Sequence, residues 1–136
     1  MDLVVVSGTL DQVIERAREA YPREGCGLIA GIRPSLVGVR LIPITNIADS
    51  ASEFEMDPAE LIRTLRDLRE AGEELVAIYH SHPHGPARPS TVDVRRAHYP
   101  EAAHLIVSLA DPECPRVAGF RIIDGEVIDI EVRAIV

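Results

Sequence analysis

The chain has no lysine. Its 14 basic residues are all arginine, and 22 acidic residues outnumber them for a net charge of -8. That balance argues against a nucleic-acid partner, because binding a phosphate backbone relies on Lys and Arg to neutralise it. No apolar stretch approaches the roughly 18 to 20 residues that span a bilayer. Leu3-Val4-Val5-Val6 is too short for a span and has no basic segment before it, so it does not read as a secretory leader. Only two cysteines occur, Cys26 and Cys114, and without a leader they make no disulfide framework. These absences together predict a soluble protein of the reducing cytoplasm. Asparagine and glutamine are nearly missing, with one of each, which fits a heat-tolerant source; a GC-rich genome accounts for arginine standing in for lysine. No repeat, linker or low-complexity tract breaks the 136 residues. That length, with 46% hydrophobic residues, suits one domain over residues 1–136, large enough to bury roughly two-thirds of its unfolded surface without staples.

Along the chain, helical and strand periodicities alternate. Thr9-Leu10-Asp11-Gln12 reads as a capping box, and Leu10, Val13, Ile14, Ala17 and Tyr21 recur at helical spacing until Pro22. Residues 27–32 and 37–47 read as strands joined by a turn containing Pro34, followed by a polar loop over 48–53. Asp57-Pro58-Ala59-Glu60 opens a second helix with an acidic cap and Pro at its first position. Leu61, Ile62, Leu65 and Leu68 form its expected buried face, and Ala71-Gly72 closes it. Leu75-Val76-Ala77-Ile78-Tyr79 is almost continuously apolar, as a central strand covered on both faces must be. A short helix beginning near Ser90, a strand over 105–109, and a hairpin of 117–123 and 126–132 around Asp124-Gly125 complete the pattern. The fold class expected is α/β: a single domain with a mixed β-sheet and flanking helices.

The chemistry concentrates where the central strand ends. His80 and His82 are two residues apart on extended backbone and therefore point to one side, so both can reach one metal ion. Asp93 follows eleven residues later in Ser90-Thr91-Val92-Asp93, the opening turn of a helix with Ser90 or Thr91 as its N-cap. A loop that folds back brings this carboxylate to the histidines as a third ligand. Two imidazoles and a carboxylate with no adjacent cysteine pair suit a catalytic zinc whose fourth position is open to water, with iron as the main rival.

His80-Ser81-His82, seven residues, Ser90, two residues and Asp93 resemble the signature of the JAMM (MPN-plus) metalloprotease family, and Arg23-Glu24-Gly25-Cys26-Gly27 resembles its upstream glutamate segment. The similarity runs nearly the whole chain. It implies a curved sheet flanked by helices, related in shape to the cytidine deaminases, and zinc hydrolase activity on bonds after the C-terminal glycine of ubiquitin-like proteins. By the same resemblance Zn2+ is held by His80, His82 and Asp93, Glu24 is the general base, and Ser90 stabilises the oxyanion. Gly25 and Gly27 around Cys26 independently suit a sharp turn or close backbone approach that aims Glu24 into a cleft. The larger relatives of the family carry insertions that grip a second ubiquitin, and this short chain points instead to a prokaryotic setting. There the expected partners are sulfur-carrier proteins with Gly-Gly tails.

Other readings compete. Cys26 could be a thiol nucleophile, but it follows an acid rather than a base, and a small buried hydrophobe is the expectation. His84 lies beyond Pro83, which breaks the alternation aiming the other two imidazoles, so it is expected at the rim of the cleft. His98 and His104 fit no motif and are expected to be structural or exposed. A non-catalytic binding module on the same fold would have lost its metal ligands, and this chain retains them. A metal hydrolase of small amides or nucleobases is disfavoured because the Cys-x-x-Cys pair of the deaminases is absent. Oligomeric state is not indicated.

Overall fold

The structure is a computed structural model describing residues 2–32 and 34–136. Its elements are β1 (Asp2–Val6), α1 (Ser7–Ala20), β2 (Cys26–Ile32), β3 (Arg40–Ile44), α2 (Pro58–Glu70), β4 (Glu73–His82), α3 (Thr91–Arg96), β5 (Ala103–Ser108), β6 (Arg116–Ile123) and β7 (Glu126–Ile135). They build one mixed sheet in the order β1-β7-β6-β5-β4-β2-β3. β1 runs parallel to β7 and β4 parallel to β5, and the remaining pairs are antiparallel. The α/β class and mixed sheet agree with the sequence pattern.

Strand β4 is central because both of its faces are covered. Ala77 and Tyr79 join Val13 and Ala17 of α1 in one core, with Leu3, Val5, Ile29, Leu105 and Val107. Ile78 packs on the opposite side with Leu28 and Ile44, under Leu61 and Leu65 of α2. Alternation along the strand therefore carries His80 and His82 onto the α2 side, the side of Ile78. Gly27 on neighbouring β2 is required by space: a Cβ there would lie 2.5 Å from the Ile42 carbonyl oxygen and 2.6 Å from the Tyr79 ring.

Several sequence expectations change. Leu3–Val6 is a strand: Leu3 and Val5 are buried, and its parallel pairing with β7 joins the two ends of the chain. This strand leads directly into α1, so the helix starts at Ser7 and not after a Thr9 cap. Thr9 sits inside the first turn, buried, and its hydroxyl donates to the Val39 carbonyl at 3.0 Å. β3 is shorter than residues 37–47, because Asn46 turns away and its Oδ1 accepts from the backbone of Ala48 and Glu55. Ile62 is 66% exposed, so the buried edge of α2 is Leu61, Leu65 and Leu68. The opening of α2 forms as expected, with Asp57 accepting from Ala59 and Glu60. At the β6–β7 turn Asp124 and Gly125 both have positive φ, which suits the Asp-Gly pair to a tight hairpin.

Candidate metal centre

The C-terminal end of β4 presents His80 and His82 on one face, and α3 brings Asp93 to meet them. The atoms Nε2 of His80, Nε2 of His82 and Oδ2 of Asp93 form a triangle with all three sides 3.1 Å. Three donors at about 2.0 to 2.1 Å from one tetrahedral ion lie about 3.3 Å from one another. The triangle therefore already has the dimensions of a metal site. Glu24 completes a group of four whose candidate ligand atoms all lie within 4.8 Å of one another. All four residues are buried, between 1% and 8% exposed, and four polar side chains gathered without solvent call for a cation.

Local structure fixes each ligand. Asp93 is the third residue of α3, and Ser90 is the N-cap: the Asp93 N–H donates to Ser90 Oγ at 3.1 Å, while the Ser90 N–H donates to Asp93 Oδ2 at 2.8 Å. This reciprocal box leaves the carboxylate aimed away from the helix at the histidines. His82 donates from Nδ1 to the Pro86 carbonyl at 2.7 Å, which reserves the Nε2 lone pair for an ion. The loop carrying Pro86 is itself tied down by a 2.6 Å bond from the Ser108 hydroxyl to the Gly85 carbonyl. Phe54 stacks on the ring of His80, centroids 4.5 Å apart and planes within 26°.

Glu24 comes from the turn between α1 and β2. Its N–H donates to the Ser50 carbonyl at 2.7 Å, and its carbonyl accepts from Asn46 Nδ2 at 3.0 Å. Next to it, the Gly25 N–H donates to Ser81 Oγ at 2.8 Å and the Gly25 carbonyl accepts from the Ser81 N–H at 3.0 Å. Ser81 thus holds the glutamate segment against the strand that carries the histidines. Burial pushes the Glu24 carboxyl up to about 7, the charge of His82 opposing and Asp93 and Glu53 adding to the rise. One of its oxygens, Oε1, is buried without a partner. Burial opposes ionisation of Asp93 too, but the hydrogen bonds from both histidines and from Ser90 N–H outweigh it and hold this carboxyl far below the usual range. Burial lowers His80, whereas for His82 the Asp93 and Pro86 bonds exceed the burial effect and raise it.

Residues 6–120 match the family model described as prokaryotic homologs of the JAB domain. The chain belongs to this family. The chain is 35% identical to a CysO-cysteine peptidase of Mycobacterium tuberculosis over 98% of its own length and 91% of that protein. A desampylase of Haloferax volcanii is 32% identical over 78% of this chain and 80% of the relative. The solution structure of protein DSY2949 from Desulfitobacterium hafniense superposes with a TM-score of 0.86 at 34% identity, covering 98% of this chain and 92% of that one.

In this JAB-domain homologue the structure brings together four of the five site residues expected from the sequence as one cluster: Glu24, His80, His82 and Asp93. The fifth, Ser90, touches the cluster through its box with Asp93. Its Oγ lone pair is used as a cap acceptor, leaving the hydroxyl hydrogen to donate. Cys26 is buried, its thiol bonded to the Ile44 carbonyl at 3.4 Å, and burial, reinforced by Glu24 and Glu60, pushes it up to about 12. That thiol is inert as a nucleophile. His84 is exposed and packs edge-on against Tyr21, centroids 5.5 Å apart. His104 is buried in β5, and burial pulls it down to about 4, His80 and Arg121 adding to the fall and Asp93 opposing. The sequence gives no sign of Ser81, Asn46 and Phe54 as supports; only the alternation of His-Ser-His, which turns Ser81 to the opposite face, marks one of them.

Proposed function

We propose that the protein is a zinc-dependent peptidase or isopeptidase that cleaves after the C-terminal Gly-Gly of a small ubiquitin-like or sulfur-carrier protein. The observation that carries this reading is the 3.1 Å triangle of two imidazole nitrogens and one carboxylate oxygen beside the buried Glu24 carboxyl. The N2O donor set supports zinc: His80, His82 and Asp93 would hold it, with the Glu24 carboxyl beside them. When bound, zinc supplies Lewis acidity that makes water a nucleophile at neutral pH.

The residues of the chain do the rest. Glu24, neither fixed in a salt bridge nor solvated, takes a proton from the attacking water and returns it to the departing amine, a base-then-acid role worth roughly 100- to 10,000-fold. Next to a dication its carboxylate form is favoured over the value that burial alone sets. Ser90 directs its hydroxyl hydrogen at the oxygen that becomes anionic. Asp93, pulled down by its partners, stays ionised at any working pH. The substrate class follows from the family and from relatives that include a CysO-cysteine peptidase and a desampylase. A tail of two glycines suits a narrow cleft, because it brings no side chains.

The test is a panel of Gly-Gly-tailed carrier proteins fused through the tail to a reporter, incubated with the metal-loaded protein, with and without a chelator. Metal analysis accompanies it, and about one zinc per chain is expected. Cleavage directly after the second glycine, abolished by chelation and restored by zinc, is the expected result. Chelator-insensitive cleavage, or a purified protein that binds no zinc when it is supplied, would overturn the reading.

A further inference from the structure

Among the described residues, two buried imidazole nitrogens lack a hydrogen-bond partner: Nδ1 of His80 and Nε2 of His104. They belong to adjacent strands. β4 and β5 pair in parallel with Ile78 opposite His104 and His80 opposite Ile106, so His80 and His104 stand on one face of the sheet as diagonal neighbours. Both line the same cavity of about 400 Å³ between the 54–61 segment and α3. Phe54 covers the flat of the His80 ring, which leaves Nδ1 only the ring plane in which to find a partner.

Ligation makes a partner necessary. In the geometry above, His80 turns Nε2 to the ion, and an imidazole that gives that lone pair away must carry its hydrogen on Nδ1. His82 meets the same demand with the Pro86 carbonyl. His80 has no such carbonyl, and a buried N–H without an acceptor is costly. Both nitrogens are closed off from the surface, so the acceptor nearest to hand is a neighbouring protein atom.

We propose that His104 is a positioning residue for the metal centre: with metal bound, the His80 Nδ1–H donates to His104 Nε2, which fixes the tautomer and the ring plane of His80. The inference rests on the metal reading above. His104 then holds its own hydrogen on Nδ1, and no proton changes residue. The buried imidazole in β5, without a role in the motif, becomes the outer partner that the first ligand otherwise lacks.

Two measurements test it. Zinc affinity is read by competition with a chromophoric chelator for the wild type, His104→Phe and His104→Gln. Phe fills the space without an acceptor and is expected to weaken zinc binding 10- to 100-fold, whereas Gln keeps an acceptor oxygen and is expected to stay within about threefold of the wild type by the same reasoning. Imidazole 15N spectra of the zinc-loaded wild type supply a readout independent of any variant's folding. A slowly exchanging hydrogen on His80 Nδ1, coupled to a bare Nε2 of His104, is expected. A His104 that carries its hydrogen on Nε2, or a folded His104→Phe that binds zinc as tightly as the wild type, overturns the proposal and leaves the metal site standing. A wild type that binds no zinc removes the site and this inference with it.

Discussion

Glu24 is a carboxyl held in a dry pocket with one oxygen unpaired, an arrangement that costs stability and therefore demands a use. Its isostere Glu24→Gln cannot accept a proton, yet it leaves His80, His82 and Asp93 in place. The expected outcome is full zinc content with kcat lowered by roughly 100- to 10,000-fold; a loss of less than tenfold would move the base elsewhere. Ser90 can be tested apart from its cap, because Gly at an N-cap costs only a few tenths of a kcal/mol where Ala costs about 1. Ser90→Gly should therefore melt within about a degree of the wild type and still lose roughly 100- to 1000-fold in kcat if the hydroxyl meets the oxyanion. A Ser90→Gly enzyme with unchanged turnover would leave Ser90 as a cap alone.

At the scale of elements, the site is the meeting of β4, α3 and the α1–β2 turn, and Ser81 is the joint between two of them. Ser81→Ala strands the partly buried Gly25 N–H, which predicts a loss of about 1 kcal/mol in a denaturant titration, together with a fall in kcat while zinc content stays normal, since the glutamate segment loses the side-chain half of its paired bonds to β4. Unchanged kcat in the folded variant would show that the Ser81 backbone, Asn46 and Ser50 hold the turn without the hydroxyl. This joint also marks what the sequence could tell. His80, His82 and Asp93 were legible because strand alternation and a capped helix start are local rules, and β4 because an unbroken apolar run needs cover on both faces. β1 was not legible: Leu3–Val6 is apolar enough for a strand, but its partner is β7 at the far end of the chain, and no local pattern reports that pairing. The false start of α1 follows from the same omission, since Thr9 resembles a cap only if nothing precedes it. Ile62 has the spacing of a buried residue, but the stripe that α2 buries is narrower. Asn46, Phe54 and His104 support the site across gaps of 22 to 26 residues from the groups they serve, and such support is a property of packing, which sequence spacing does not encode.

Over the whole molecule, the sheet order places β4 between β5 and β2, so two of the three ligands rest on the buried end of an interior strand and ion binding and folding are linked. Metal bound only by the native state adds about 2.7 kcal/mol when free ion is 100 times Kd. The melting temperature should therefore fall on chelation and recover when zinc is restored, and a chelated protein that melts at the holo temperature would separate the cluster from folding. Acid acts on the same region through His104, which lies near 4 in the folded protein against 6.5 when unfolded. Between those values the unfolded chain binds the extra proton. The contribution of His104 is therefore complete above about pH 6.5 and is lost as pH falls towards 4, about 2 kcal/mol of it between pH 7 and pH 5. Burial is the main cause of this value; of the groups around it, His80 and Arg121 oppose its charging and Asp93 favours it. Urea titrations of the metal-free wild type and of His104→Phe isolate the effect, because the other titrating groups are common to both. The gap in unfolding free energy between the two should change by about 2 kcal/mol from pH 7 to pH 5 in favour of the variant. A gap that holds constant across that range would mean that His104 titrates alike in the folded and unfolded chains.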